Sequence, residues 1–180
     1  MGKPRIALLD RDGTLIKHIP YLHDPAQVEL LPQAAEGLKR LRQQGYFLVM
    51  VSNQSGVGRG YFSAEAADAV NLEVNRQLQE AGCWIDHMFY CPHHPSISCV
   101  CRKPQRGMVD WALDALSISP EVDLSDCIVI GDSACDINLA QTIGCKSYQL
   151  PHLTGTWDEV TTSYPIHRCA DWADVLGALG

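Results

Sequence analysis

The sequence predicts an α/β fold: a Rossmann-like parallel sheet with helices on both faces. Three observations predict it. Short apolar runs alternate with helical patterns of ten or more residues, a spacing that calls for crossover connections between parallel strands. The runs are continuous rather than alternating, which marks buried strands. Acids, hydroxyls and glycines collect where the runs stop, at the strand ends where such sheets gather ligands.

The first strand is expected at about 5–10, where Ile6 to Leu9 run into Asp10 and Asp12 and Gly13 turns the chain. A polar loop leads to Pro32. A helix over about 33–44 follows, with Ala34, Leu38 and Leu41 on one face and Gly45 at its end. "YFLVMVS" (46–52) is the second strand and "NQSGVGRGYF" a glycine-rich loop. Ser63 caps a helix to about Ala81, with Gly82 beyond it. The third strand is expected at about 85–91, then a loop rich in Cys, His and Pro, then a helix at about 107–116. "CIVIG" (127–131) is the fourth strand, "CDINLAQTI" a helix stopped by Gly144, "KSYQL" a short fifth strand and "WADVLGAL" the last helix. With no internal repeat, low-complexity tract or linker, residues 1–180 are read as one domain. Trp84, Trp111, Trp157 and Trp172 read as core or edge packing.

Composition narrows the function. The 180 residues carry a net charge of −7, which argues against a nucleic-acid backbone as the main partner. No apolar run reaches the ~20 residues of a membrane span. The chain enters its first strand without a signal-peptide pattern, so a cytoplasmic location is expected; a monomer is expected as well. The eight cysteines then read as thiols rather than a disulfide framework.

Reading only the strand ends brings Asp10, Asp12, Ser52, Asp132 and Asp136 to one edge, with Arg102 and Lys103 between strands three and four. Carboxylates so close repel unless a cation sits among them. Hard oxygen ligands with open positions suit magnesium bridging to a substrate phosphate. An EF-hand reading of "DRDG" fails, because its third acid and closing glutamate have no counterparts. Phosphate-ester hydrolysis needs a nucleophile, a metal, a charge stabiliser and a proton donor. Those parts are present. Backbone amides of the loop at 56–60 can approach an anion.

In this order, "DRDGTL", "VSNQSG", "CRKP" and "VIGDSACDI" resemble the four motifs of the haloacid-dehalogenase phosphatases, over residues 5–150. The resemblance implies Asp10 as nucleophile and Asp12 as general acid/base. Asp10, the Asp12 backbone carbonyl and Asp132 would hold magnesium. Ser52 and Lys103 would steady the transferring phosphoryl group, with Asp136 orienting the metal's waters or Lys103. About 40 residues separate Asp10 from Ser52, too few for a cap domain, and the segment 53–102 is equally filled. "YLHDP", "SNQSGVGRGYF" and "YCPHHP…CVCRKP" are similar to the capless D-glycero-D-manno-heptose-1,7-bisphosphate 7-phosphatases of nucleotide-heptose (lipopolysaccharide core precursor) biosynthesis. The implied partner is a small phosphorylated sugar, met by Asn53, Gln54, Ser55, Arg59 and Arg102. His18, Tyr21 and His23 follow the first motif and are candidate pocket walls.

Cys91-x-His93 and Cys99-x-Cys101 are separated by five residues. Three thiols and an imidazole close a tetrahedral zinc site with no open position, hence a structural one, in a loop at about 91–103. His94 is the other imidazole; the family pattern uses His93. Two departures are visible. Ser52 stands where many relatives have Thr, and Ser133 where some have Lys. The short arm between His93 and Cys99 also resembles histidinol-phosphate phosphatase, the alternative substrate reading. A phosphosugar-binding module without turnover is a further alternative, although both catalytic acids are present.

Overall fold

A computed structural model describes residues 3–152 and 154–180. Six strands form one parallel sheet: β1 (Ile6–Leu9), β2 (Phe47–Asn53), β3 (His87–Cys91), β4 (Ile128–Gly131), β5 (Lys146–Gln149) and β6 (Ile166–Arg168). Their order across the sheet is β3-β2-β1-β4-β5-β6. The helices are α1 (Ala34–Gln43), α2 (Ser55–Gly58), α3 (Ala64–Glu80), α4 (Gly107–Ala115), α5 (Ala134–Ile143) and α6 (Trp172–Ala178).

Period-two alternation sorts the strand residues between two cores. Ala7 and Leu9, with Leu48, Met50, Ile128 and Ile130, pack with the apolar residues of α1, α3 and α6. Ile6 and Leu8, with Val49, Val51 and Val129, pack with those of α4 and α5. Both faces of the sheet are therefore covered, and β1 is buried throughout. Trp172 closes the first core. A Cβ on Gly37 of α1 would lie 2.3 Å from its ring, and its indole N–H donates to the Thr14 carbonyl at 2.7 Å.

The expected elements are present, with ends within two residues of those expected; most are shorter, but β2 runs one residue further, to Asn53, and α5 begins one earlier, at Ala134. Ser63 caps α3 by accepting from the Ala66 amide. Two features go beyond the sequence reading. The glycine-rich loop contains a single helical turn, α2. β6 pairs with the edge of β5; its three residues, none of them buried, are too short a run to show periodicity. Among the described residues no second folded unit interrupts the sheet, and no helix is long and apolar enough to cross a membrane.

The chain steps outward from β1 through β2 to β3, then returns to place β4 on the other side of β1. That reversal opens a crevice at the carboxyl ends of β1 and β4.

Candidate active site

Asp10 follows β1, and its amide donates to the Ile130 carbonyl of β4 at 2.9 Å, which seats it at the reversal point. Lys103 reaches it from the loop before α4. The Lys103 Nζ donates to Asp10 Oδ1 at 2.6 Å, to Asp136 Oδ1 at 2.6 Å and to the Val51 carbonyl at 2.7 Å. All three ammonium donors are thereby used. Asn53, at the end of β2, holds Lys103 in place: its side-chain amide accepts from the Lys103 N–H at 3.0 Å and donates to the Lys103 carbonyl at 3.2 Å.

Asp132 follows β4. A Cβ on Gly13 would lie 2.2 Å from Asp132 Oδ2, and Gly13 has φ +79°, so glycine alone fits the turn after "DRD". Asp136 uses both oxygens. Oδ1 faces Lys103, and Oδ2 accepts from the Ser133 hydroxyl at 2.6 Å and the Ser133 amide at 3.2 Å. Ser133 is thus the capping residue of α5. Asp12 is gripped on one edge by the Arg11 guanidinium. On the other, Gln54 Nε2 donates to Asp12 Oδ2 and to Ser52 Oγ, each at 2.8 Å. Since Ser52 Oγ accepts from Gln54, its own hydrogen is left to point elsewhere.

Burial pushes the Asp10 carboxyl up to about 8, against the pull of Lys103 and with the push of Asp136, Asp132 and Asp12. Burial and then Asp136 push Asp132 up to about 6, partly opposed by His152. Burial alone would lower Lys103, but Asp10 and Asp136 outweigh it and keep the ammonium charged. The Lys103 ammonium thus pairs with Asp10 and Asp136, while Asp132 adds a third carboxyl to the group that this one cation does not meet. The carboxylate oxygens lie within 4.8 Å of one another. This donor set fits a divalent cation with hard oxygen ligands. Asp136 is already engaged, so Asp10 and Asp132 have oxygens to offer.

These groups line a cleft of about 420 Å³. Asp10, Asp12, Ser52, Asn53, Gln54, Ser55, Lys103 and Asp132 all border it, with His18 and Tyr21 on the facing wall. His23 is turned away and stacks on Phe62. Arg59 and Arg102 do not line this cleft; the Arg102 guanidinium donates to the His93 carbonyl. Ser55 and Gly56 open α2, so their amides have no helical acceptor and can serve an anion.

Cys91, His93, Cys99 and Cys101 converge beside the cleft. Cys91 Sγ lies 3.5 Å from His93 Nδ1 and 3.7 Å from Cys99 Sγ, and His93 Nδ1 lies 3.2 Å from Cys101 Sγ. A regular tetrahedron around zinc has sulfur–sulfur edges of about 3.8 Å and sulfur–nitrogen edges of about 3.5 Å. The four groups therefore fit a closed zinc site. His94 is excluded from it, its Nδ1 being 2.7 Å from Ser96 Oγ. The loop is tied to the cleft. Gln54 N–H donates to the Cys91 carbonyl at 2.8 Å. A Cβ on Gly58 would lie 2.2 Å from the His94 amide nitrogen.

One wall residue escaped the sequence reading. His152 stands with Nδ1 3.4 Å from Asp132 Oδ2 and Nε2 2.9 Å from Asp158 Oδ1. It comes just past the carboxyl end of β5, so the strand-end rule that found Asp10, Ser52 and Asp132 applies to it as well.

A family model described as polynucleotide kinase 3 phosphatase matches residues 5–160. The D-glycero-alpha-D-manno-heptose-1,7-bisphosphate 7-phosphatase of Photorhabdus laumondii is 35% identical over 150 residues, which cover 79% of this chain and 80% of that protein. The Haemophilus ducreyi protein named for the beta anomer is 36% identical over 154 residues, 82% of each chain. Among solved structures, D,D-heptose 1,7-bisphosphate phosphatase from B. bronchiseptica, complexed with magnesium and phosphate, gives a TM-score of 0.84 at 29% identity and 97% coverage of both chains.

Proposed function

This chain belongs to the D-glycero-D-manno-heptose-1,7-bisphosphate 7-phosphatase family of the haloacid-dehalogenase superfamily, and we propose that it removes the 7-phosphate of that sugar bisphosphate in a magnesium-dependent reaction. The observation that carries the proposal is the cluster of Asp10, Lys103, Asp132 and Asp136 at the floor of a cleft open to small molecules.

Asp10 is the nucleophile. One of its carboxylate oxygens attacks phosphorus, the bond between phosphorus and the C7 oxygen breaks, and Asp12 gives its proton to the departing oxygen. Water then attacks the aspartyl-phosphate, Asp12 takes the water's proton, and the bond to Asp10 breaks to release phosphate. The Lys103 charge neutralises the phosphoryl oxygens, and the Ser52 hydroxyl hydrogen-bonds one of them. Magnesium would be held by Asp10, Asp132 and the Asp12 carbonyl; bound there, it supplies charge neutralisation to the phosphoryl group. Asp136 keeps Lys103 aimed at Asp10.

Zinc in the Cys91, His93, Cys99 and Cys101 site is structural and fixes the chain that carries Arg102 and Lys103. Gly58 packs on the backbone of 92–94 and Arg102 bonds to the His93 carbonyl. Arg102 therefore flanks this backbone outside the cleft lining, and Arg59 follows Gly58 at the end of α2; both are the cations offered to the substrate's second phosphate. His18 and Tyr21 face the sugar. Ser133 is committed to α5, so it does not replace the lysine that some relatives carry. None of the eight cysteines is joined in a disulfide, which fits a reducing compartment, and we place the enzyme in the cytoplasm as a single-domain monomer serving nucleotide-heptose and lipopolysaccharide core synthesis.

The family model that matches residues 5–160 is described as a polynucleotide phosphatase, but a net charge of −7 opposes a nucleic-acid substrate. Histidinol phosphate is the second reading, favoured by the five-residue arm between His93 and Cys99. Phosphorus NMR of the reaction with heptose 1,7-bisphosphate tests the proposal. Loss of the C7 resonance with the C1 phosphate retained, and no reaction after chelation, is the expected result. Release from C1, or full activity without divalent ions, overturns it.

A further inference from the structure

Between the two aspartates of the first motif stands Arg11, which is 0% exposed. An arginine sealed this deeply must find partners for its donors. Its Nε donates to Asp12 Oδ2 at 3.1 Å and its Nη2 to Asp12 Oδ1 at 3.2 Å. Nη1 donates to Asn71 Oδ1 at 2.8 Å. Asn71 lies on α3, is itself 6% exposed and reaches the guanidinium from 60 residues away in sequence.

We propose that Arg11 is a positioning residue for Asp12, anchored by Asn71, and that the pair sets the plane in which Asp12 delivers its proton. This rests on the reading of Asp12 as general acid. An aspartate's terminal torsion is broad, so a lone carboxylate would sample many planes. A planar guanidinium meeting both oxygens removes that freedom, which a lysine ammonium cannot do. Gln54 closes the opposite edge, donating to Asp12 Oδ2 at 2.8 Å. Asn71 in turn leaves Arg11 one orientation, because Nη1 has this acceptor and no water-exposed alternative. The acid is thus located by a residue of α3, far from it in sequence.

The leaving group reads out this role. A sugar alkoxide is a poor leaving group and needs the proton as its bond to phosphorus breaks. A p-nitrophenolate leaves without it. The ratio of kcat/KM on the two esters reports the first transfer step alone and is insensitive to later hydrolysis of the aspartyl-phosphate.

The test compares heptose bisphosphate with p-nitrophenyl phosphate in the parent, Asp12→Asn, Arg11→Lys, Asn71→Leu and Asn71→Asp. Loss of a proton donor costs ~10²–10⁴-fold, so Arg11→Lys and Asn71→Leu are expected to lose roughly 10–100-fold on the sugar phosphate and under about threefold on the aryl ester. Asn71→Asp keeps the acceptor and is expected to hold the parental ratio, which covers the case in which Asn71→Leu folds poorly. Equal losses on both esters mean a merely structural role and overturn the proposal, as does an unchanged ratio in Arg11→Lys. If Asp12→Asn itself fails to discriminate between the esters, the acid reading of Asp12 falls and the proposal with it. If Asp12→Asn discriminates and the Arg11 and Asn71 variants do not, the proposal alone falls.

Discussion

Lys103 spends its three donors on Asp10, Asp136 and the Val51 carbonyl, and this arrangement governs what single substitutions do. Asp10→Asn keeps the shape but removes the attacking oxygen. Turnover is expected to fall at least ~10³-fold, the scale seen when a nucleophile is removed, with an unchanged circular dichroism spectrum. Near-normal turnover would remove Asp10 from the mechanism. Lys103→Ala leaves two buried carboxylates facing each other without a cation. Breaking a buried pair costs about 3–5 kcal/mol, so denaturant unfolding is expected to show a loss of that size alongside a fall in kcat. At this scale much was legible. Asp10, Asp12, Ser52 and Asp132 sit at strand ends, and strand ends converge in a parallel sheet. Arg11 was not, because a charged residue in a turn looks like a solvated one until α3 is seen to cover it. His152 obeys the same strand-end rule, but it lies three residues past β5 and no motif spacing marks it.

The element that couples structure to catalysis is the loop from Cys91 to Lys103. Its carbonyl at Cys91 receives the Gln54 amide, and its backbone at 92–94 leaves no room for a side chain on Gly58. Cys99→Ser or Cys101→Ser is expected to release zinc and lower kcat/KM, because Lys103 is only two residues past Cys101. The magnesium requirement is expected to stay, since Asp10 and Asp132 lie on other loops. Metal analysis with kinetics checks both, and a zinc-free protein of full activity would contradict the role given to the loop. In Arg102→Ala, KM is expected to rise about tenfold with kcat nearly unchanged, the pattern of lost uniform binding. A fall in kcat alone would place Arg102 at the reacting phosphate instead. The cysteine and histidine spacing made the cluster legible from sequence. Its packing against α2 was not, because the Gly-rich run gave no periodicity from which to read a helical turn.

Across the whole molecule, the reversal of strand order between β1 and β4 concentrates negative charge in one crevice. Without a metal, Asp10 and Asp132 are held above the ordinary carboxylate value of 3.8, at about 8 and about 6. A raised group favours the folded state at low pH and loses that contribution as pH climbs through its folded value. Metal-free protein is therefore expected to lose stability from these groups between about pH 4 and 8. Magnesium held there as proposed would relieve the same repulsion and bind only the folded crevice. The difference in Tm between magnesium-loaded and chelated protein should widen from about pH 5 to about pH 8; a constant difference would mean that these carboxylates do not bind the ion. The parallel sheet and both helical layers followed from the spacing of apolar runs; the strand order, with β1 between β2 and β4, is read from the structure. β6 did not, being a three-residue edge whose pairing is decided by β5 rather than by its own sequence.

Substrate choice is the claim on which the functional account turns, and a kcat/KM panel tests it most directly. The panel compares the alpha and beta anomers of D-glycero-D-manno-heptose 1,7-bisphosphate, histidinol phosphate and a 3′-phosphorylated oligonucleotide, each with magnesium and with the Asp10→Asn variant as the blank. One heptose bisphosphate anomer is expected to exceed both histidinol phosphate and the oligonucleotide by at least ~10²-fold, the discrimination available when a second phosphate has its own cations to meet. A preference for histidinol phosphate or for the oligonucleotide would contradict the account.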